Sequence, residues 1–194
     1  MADRTIIIIG LGNPGRAYKD NRHNVGFMLI DRLSVRLNAR LNRVQAKAIV
    51  GSVHHHGDKI ILAKPQTYMN LSGQSVQGLV HFYKIPLANM LVAHDDLDLP
   101  QGTLRIRPGG GPGGQKGIAS AIERLGSRDF PRLRIGIGRP PGRMDPAAYV
   151  LQDFSAGELK IISEVLDRAA DAALEFIENG LDAAMNKYNG NIED

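Results

Sequence analysis

The chain has 194 residues, 43% hydrophobic and 23% charged, with a net charge of +4 and no cysteine. That length suits one α/β domain with a sizeable core, and the lack of cysteine excludes disulfides, thiolate catalysis and thiolate metal sites. No apolar run approaches the roughly 20 residues of a membrane helix, and the four isoleucines after Asp3 and Arg4 are too few for a signal-peptide core, so the expected location is the cytoplasm.

Ile6 to Ile9 reads as a buried strand that runs into Gly10-Leu11-Gly12-Asn13-Pro14-Gly15. The letters match the G-x-G-x-x-G dinucleotide fingerprint, but the context does not. A dinucleotide site needs a helix beginning inside the glycines, and the helical spacing of Val25, Met28, Leu29, Leu33, Leu37 and Leu41 starts only at about Asn24, the predicted N-cap. A tight turn at the C-terminal end of a strand fits better. Asn13 there either projects an amide into the crevice where ligands of open α/β sheets bind or supports the turn. His23, just before the first helix, has the position and chemistry of a general base.

"KAIVGSVHHHGDKIILAKP" predicts a hairpin turning near Gly57-Asp58. It places His54-His55-His56 at the tip, where solvent exposure is expected over metal ligation. Met69 and Asn70 lead into a helix over 72–83, with Asn70 or Ser72 as its cap. "NMLVAHDD" predicts a strand with Asp95 just past its apolar part; a carboxylate there suits the ring N–H of a histidine. Asp96 and Asp98 are alternatives, as Asx-turn or metal-site residues. "GTLRIRP" and "LRIGIG" predict two more strands. Between them lies the glycine-rich loop with Lys116, readable as an anion site or a mobile lid, and a short helix closed by Gly126. The remainder is helical, ending in "NGNIED", which is expected to fray. Strands alternating with helices predict the α/β class: a single globular domain over 1–194 with a mixed, mostly parallel, twisted sheet and helices on both faces.

Charge is distributed unevenly. Residues 102–143 carry nine basic side chains against two acidic, a net of +7, and residues 153–194 carry three against ten, a net of −7. The basic stretch is either a solvated face or the footprint of an anionic partner, nucleic-acid backbone first among them. No nucleophilic serine sits in an elbow motif, so His, Asp and two Asn amides form the available chemistry. That set suits attack by water on a polarised carbonyl.

"GLGNPG" with Tyr18, "RHNVGF", "KPQTYMNLSG", "HDDLDLPQG", the glycine-rich loop and "RLRIGIGRP" follow one another in an order that resembles the bacterial peptidyl-tRNA hydrolase family over nearly the whole chain. The resemblance implies a monomeric, metal-free and cofactor-free α/β enzyme with no obligate protein partner and no membrane association. It would cleave the ester between a peptide and the 3′-terminal ribose of tRNA, recycling the tRNA. Carried over residue by residue, His23 would activate water and Asp95 would orient it. Asn13 and Asn70 would hold the peptide main chain and the scissile carbonyl. Met69 would line the peptide channel and Tyr18 its mouth, while Arg107 and Arg134 would clamp the 5′-phosphate end of tRNA.

Three positions, in two of the motifs, depart from the family pattern. Asn21 stands where the family usually has Thr before Arg-His-Asn, and Gln115-Lys116 stands where it usually has His-Asn. Protonated Lys116 cannot accept a hydrogen bond, so it carries over only as a substrate-binding candidate, for an oxyanion or phosphate. Relatives altered in this loop include proteins of RNA splicing, which makes a non-catalytic RNA-binding relative the alternative reading.

Overall fold

Four consecutive isoleucines need apolar cover on both sides, and the fold supplies it. The structure, a computed structural model, describes residues 3–194. Strand β1 (Thr5–Gly10) lies inside an eight-stranded sheet with β2 (Arg43–Gln45), β3 (Ala48–His55), β4 (Asp58–Pro65), β5 (Met90–Asp96), β6 (Thr103–Arg107), β7 (Arg132–Gly136) and β8 (Gly190–Asn191). The order is β2-β3-β4-β1-β5-β7-β6-β8. Strand alternation sends Ile6 and Ile8 to one core and Ile7 and Ile9 to the other. The first core is closed by α1 (Val25–Leu37), α5 (Ala156–Asn179) and α6 (Leu181–Tyr188), joined by the short α4 (Pro146–Val150). The second is closed by α2 (Ser72–Tyr83) and α3 (Lys116–Leu125). Helices therefore cover both faces, as the alternating pattern predicts.

The sheet is mixed, but its parallel share is smaller than the sequence suggests. β4, β1, β5 and β7 run parallel through the centre, giving three parallel pairings against four antiparallel ones on the flanks. The β3–β4 hairpin makes one flank antiparallel. The other is β6, lying against β7, with the chain end added outside it.

That chain end is the second difference from expectation. Residues 189–194 do not fray: Gly190 and Asn191 pair with Leu104 and Thr103, and the Ile192 N–H donates to the Gly102 carbonyl. The Asn189 side chain acts as one more rung, its Oδ1 accepting from the Ile106 N–H at 2.6 Å and its Nδ2 donating to the Ile106 carbonyl at 3.2 Å.

The glycines of the opening motif serve packing. A Cβ on Gly10 would lie 2.0 Å from the Gly26 carbonyl oxygen, and one on Gly26 would lie 2.6 Å from the Leu11 backbone N and O. Helix α1 thus crosses the end of β1 with backbone against backbone. Neither contact can be relieved by a rotamer change. Gly26→Ala is expected to cost the upper part of the about 1–3 kcal/mol typical of overpacking. At this chain length that corresponds to a fall in Tm of roughly 6–12 °C, read by thermal denaturation; an unchanged Tm would contradict the close crossing.

Candidate active site

β1 and β5 are neighbours in parallel register, Gly10 beside Ala93, so their C-terminal ends open onto the same edge of the sheet. The loops beyond them bring together residues far apart in sequence. A cavity of about 650 Å³ opens there, lined among others by Asn13, Tyr18, His23, Met69, Asn70, Asp95, Gln115 and Lys116. All seven predicted catalytic and substrate-binding residues border it.

Strand alternation separates the acids that the sequence left as alternatives. Asp95 follows Leu91 and Ala93 onto the α1 side of the sheet, and Asp96 follows Val92 onto the other. On the α1 side, a 3-10 turn over Arg22–Asn24 leads into the helix and presents His23. His23 Nδ1 lies 2.8 Å from Asp95 Oδ2, with the two side chains 12% and 3% exposed. A carboxylate only accepts, so Nδ1 carries the proton and the neutral ring keeps Nε2 as its basic atom. Asp96 instead takes the Arg134 Nε at 2.7 Å on one oxygen and caps the Asp98 N–H at 2.8 Å with the other, which is the Asx-turn reading. Asp98 pairs with Arg139. The three acids therefore have separate partners and do not form a metal cage.

The other Asp95 oxygen is held by Gln115, a departure from the family pattern to which the sequence assigns no role. Gln115 Nε2 donates to Asp95 Oδ1 at 3.1 Å, and Gln115 Oε1 accepts the Ile118 N–H at 2.7 Å as the N-cap of α3. Both ends of this buried amide are used, so the glycine-rich loop, the helix start and the carboxylate share one rigid link. The only local signal is its place just before an amphipathic helix; glutamine is an uncommon cap. Lys116, the next residue, is exposed at the rim of the cavity.

The Asn13 side chain borders the cavity and reaches across to Met69 instead of bracing its own turn. Its Oδ1 accepts the Met69 N–H at 2.7 Å, which fixes the amide orientation, because a backbone N–H can only donate. Its Nδ2 then has no partner among the described residues and remains a donor at the cavity. Asn24 does not cap α1 with its side chain as predicted. Its amide instead accepts the Asn13 N–H at 2.8 Å and donates to the Asn13 carbonyl at 2.9 Å. This two-point clamp holds the Gly-Asn-Pro-Gly loop against the His23 turn. Arg22 anchors the same turn from behind. It is buried, its guanidinium carbon lies 4.1 Å from the Tyr149 ring centroid, and its Nη2 donates to both Glu158 oxygens at 3.0 and 2.9 Å. Burial alone would raise the Glu158 carboxyl; the Ser155 N–H, Arg22 and Gln101 outweigh it and hold it below its ordinary value. Behind Asp95, burial pushes the His94 imidazole down, and its Nδ1 donates to the Asp95 carbonyl at 2.8 Å.

Leu104, Ile106, Leu133 and Ile135 of β6 and β7 fill the first core. Alternation puts Arg105, Arg107, Arg132 and Arg134 together on the opposite face, with Arg105 beside Arg134 and Arg107 beside Arg132. Arg107 and Arg134 are diagonal neighbours there, a spacing of about 7–8 Å. Arg132 is buried and points inward, donating to the carbonyls of Gly111 at 3.1 Å and Arg128 at 2.9 Å. Burial first, and then the Arg134 charge, lower its affinity for its proton. It staples the glycine-rich loop, while Arg107 stands exposed.

The family model described as "Peptidyl-tRNA hydrolase" matches residues 7–194. The chain is 50% identical over 184 residues to a peptidyl-tRNA hydrolase of Caldanaerobacter subterraneus subsp. tengcongensis, covering 95% of this chain and 99% of that one. It is 53% identical over 182 residues to a chloroplastic peptidyl-tRNA hydrolase of Arabidopsis thaliana, covering 93% of this chain and 62% of that one. The crystal structure of peptidyl-tRNA hydrolase from Acinetobacter baumannii superposes with a TM-score of 0.89 at 34% identity, covering 97% of each chain.

Proposed function

The chain belongs to the peptidyl-tRNA hydrolase family, and from that premise we propose that it cleaves the peptide–ribose ester of peptidyl-tRNA with His23 as general base. The observation that carries this reading is the 2.8 Å contact between His23 Nδ1 and Asp95 Oδ2 at the wall of a cavity large enough for a peptidyl ester. The reading of a non-catalytic RNA-binding relative finds no support, since the matched relatives bear a hydrolase's name across nearly the whole chain. The dinucleotide reading fails on geometry, because α1 begins at Val25 and not within the glycines.

In the proposed reaction, His23 Nε2 takes a proton from water as the water oxygen bonds to the ester carbonyl carbon. Asp95 stabilises the imidazolium that results. The Asn13 and Asn70 amides, with Lys116 at the rim, donate to the carbonyl oxygen as it gains charge. The bond to the ribose oxygen then breaks, and the imidazolium returns its proton to that oxygen. The products are tRNA with a free terminal hydroxyl and a peptide carboxylic acid, which releases its remaining proton to solvent as the carboxylate. Met69 lines the peptide channel and Tyr18 its mouth. We propose a monomer, since one chain supplies every group used, that acts in the cytoplasm on a substrate made during translation. Release of the N-blocked amino acid from N-blocked aminoacyl-tRNA tests the reading directly, and no release would refute it.

Arg107 and Arg134 are proposed to meet phosphate, where charge-assisted contacts position the tRNA without reading sequence. Arg107→Ala is the cleaner test, because Arg134 also neutralises Asp96. The expected result is a raised KM with kcat kept, and a salt dependence of log KM shallower by about 0.7–0.9. A change confined to kcat would contradict the clamp.

A further inference from the structure

The opposite edge of the sheet carries a cluster that the reaction above does not use. There the β3–β4 hairpin tip meets the C-terminal end of α5 beside the start of β1. Consecutive strand residues point to opposite faces, so two adjacent histidines ordinarily diverge. His55 and His56 converge. His56 leaves the strand with φ 51°, in the left-handed region, and Gly57 follows at 89°. Such a pair of positive φ angles marks a primed hairpin turn, whose first position favours Asn, Asp or Gly. The left-handed backbone brings the His56 ring beside the His55 ring, with centroids 4.2 Å apart and planes at 76°.

Both Nε2 atoms aim at Glu178 Oε1, His55 from 2.8 Å and His56 from 3.8 Å. One ligand atom from each of the three residues lies within 4.8 Å of the other two. A tetrahedral ion with bonds of about 2.1 Å sets its ligand atoms roughly 3.4 Å apart, between the two measured separations. The same hollow, of about 270 Å³, contains Arg4 and Asp58. The Arg4 charge is engaged by Asp58, Nη2 to Oδ2 at 2.5 Å, and that hydrogen bond raises its pKa. The exposure expected for the histidine run applies to His56, at 74%, but not to His55, at 24%.

We propose that His55, His56 and Glu178 form a binding site for a divalent transition metal of the Zn²⁺ class. Two imidazoles and one carboxylate suit a borderline ion, whereas Ca²⁺ and Mg²⁺ favour all-oxygen shells. Three protein ligands leave one position for water. The role is structural. β1 spans the distance between this site and the Asn13 loop, about 16 Å at 3.3 Å per residue, so the ion stands apart from the chemistry. It would join the hairpin tip to a helix 123 positions away along the chain, adding to the His55–Glu178 hydrogen bond and the Arg4 bridge from Asp58 to the Ile177 carbonyl.

The test is calorimetric titration of the chelator-treated, full-length protein with ZnCl₂ at about pH 7.5, with thermal denaturation and hydrolysis measured in parallel. The expected result is one equivalent bound, a Tm that rises with Zn²⁺, and hydrolysis unaffected by the ion or by a chelator. His56→Asn removes one ligand while supplying a residue the turn prefers, so the metal-free variant should melt at or above wild type. It and Glu178→Gln should each bind Zn²⁺ at least tenfold more weakly and lose the Tm rise, with hydrolysis unchanged. No stoichiometric binding, or wild-type affinity in both variants with the ion then held by other residues such as His23 and Asp95, would overturn the assignment.

Discussion

His23→Ala is expected to lower kcat by at least 10²–10⁴-fold, the usual contribution of a positioned general base, or about 3–5 kcal/mol of barrier. The reasoning rests on which ring atom is free. Nδ1 is committed to Asp95, so Nε2 is the ring atom that can take the proton from water, and alanine leaves no other imidazole among the described residues that line the cavity. Binding should change little, because the proposed phosphate contacts lie on another face of the sheet. Single-turnover ester cleavage, with tRNA affinity measured separately, checks both halves. Unchanged turnover would remove His23 from the mechanism.

Asp95→Asn is expected to reduce turnover over a similar range, about 10²–10⁴-fold, with the fold retained. The carboxylate now accepts from two donors at once, His23 Nδ1 on one oxygen and Gln115 Nε2 on the other. A carboxamide has one oxygen and one NH₂ group, so it cannot accept from both. If its oxygen faces His23, its NH₂ opposes the Gln115 NH₂, and the Gln115 oxygen is already taken by the Ile118 N–H. If its NH₂ faces His23, the imidazole must carry its proton on Nε2, where the base is needed. Either arrangement also removes the charge that supports the imidazolium; the serine-protease triad shows how large such an effect can be. The decisive comparison is kcat against Tm. A variant with wild-type kcat would leave Asp95 without a role, and a variant that failed to fold would show the pair to be structural.

The legible parts of the molecule were those set by neighbours in sequence. The isoleucine run, the hairpin and the helix over 72–83 follow from local periodicity and turn residues, and the structure has them as read. Asn13 and Asp95 were legible because residues at strand ends open onto one edge of a parallel sheet, and His23 because it precedes a helix; Tyr18, Met69 and Asn70 entered only through the family resemblance. What could not be read depends on partners met only after folding. Asn24 looks like a cap because it precedes a helix, yet the Asn13 backbone is the better partner once the loop folds over it. Gln115 gives no sign of its hold on a carboxylate 20 positions away. Arg132 and Arg107 have the same letter in neighbouring strands, and only packing sends one inward. The convergence of His55 and His56 needs a backbone angle that composition does not reveal.

The seal that the final residues place along β6 has a consequence for how the molecule behaves in a crowded solution. An outer strand with free N–H and C=O groups is a template for other chains. Here Gly190, Asn191 and the Asn189 amide occupy that template. The last few residues therefore guard against clumping, and a protein trimmed back to Tyr188 would lose that protection while its catalytic pocket stayed whole.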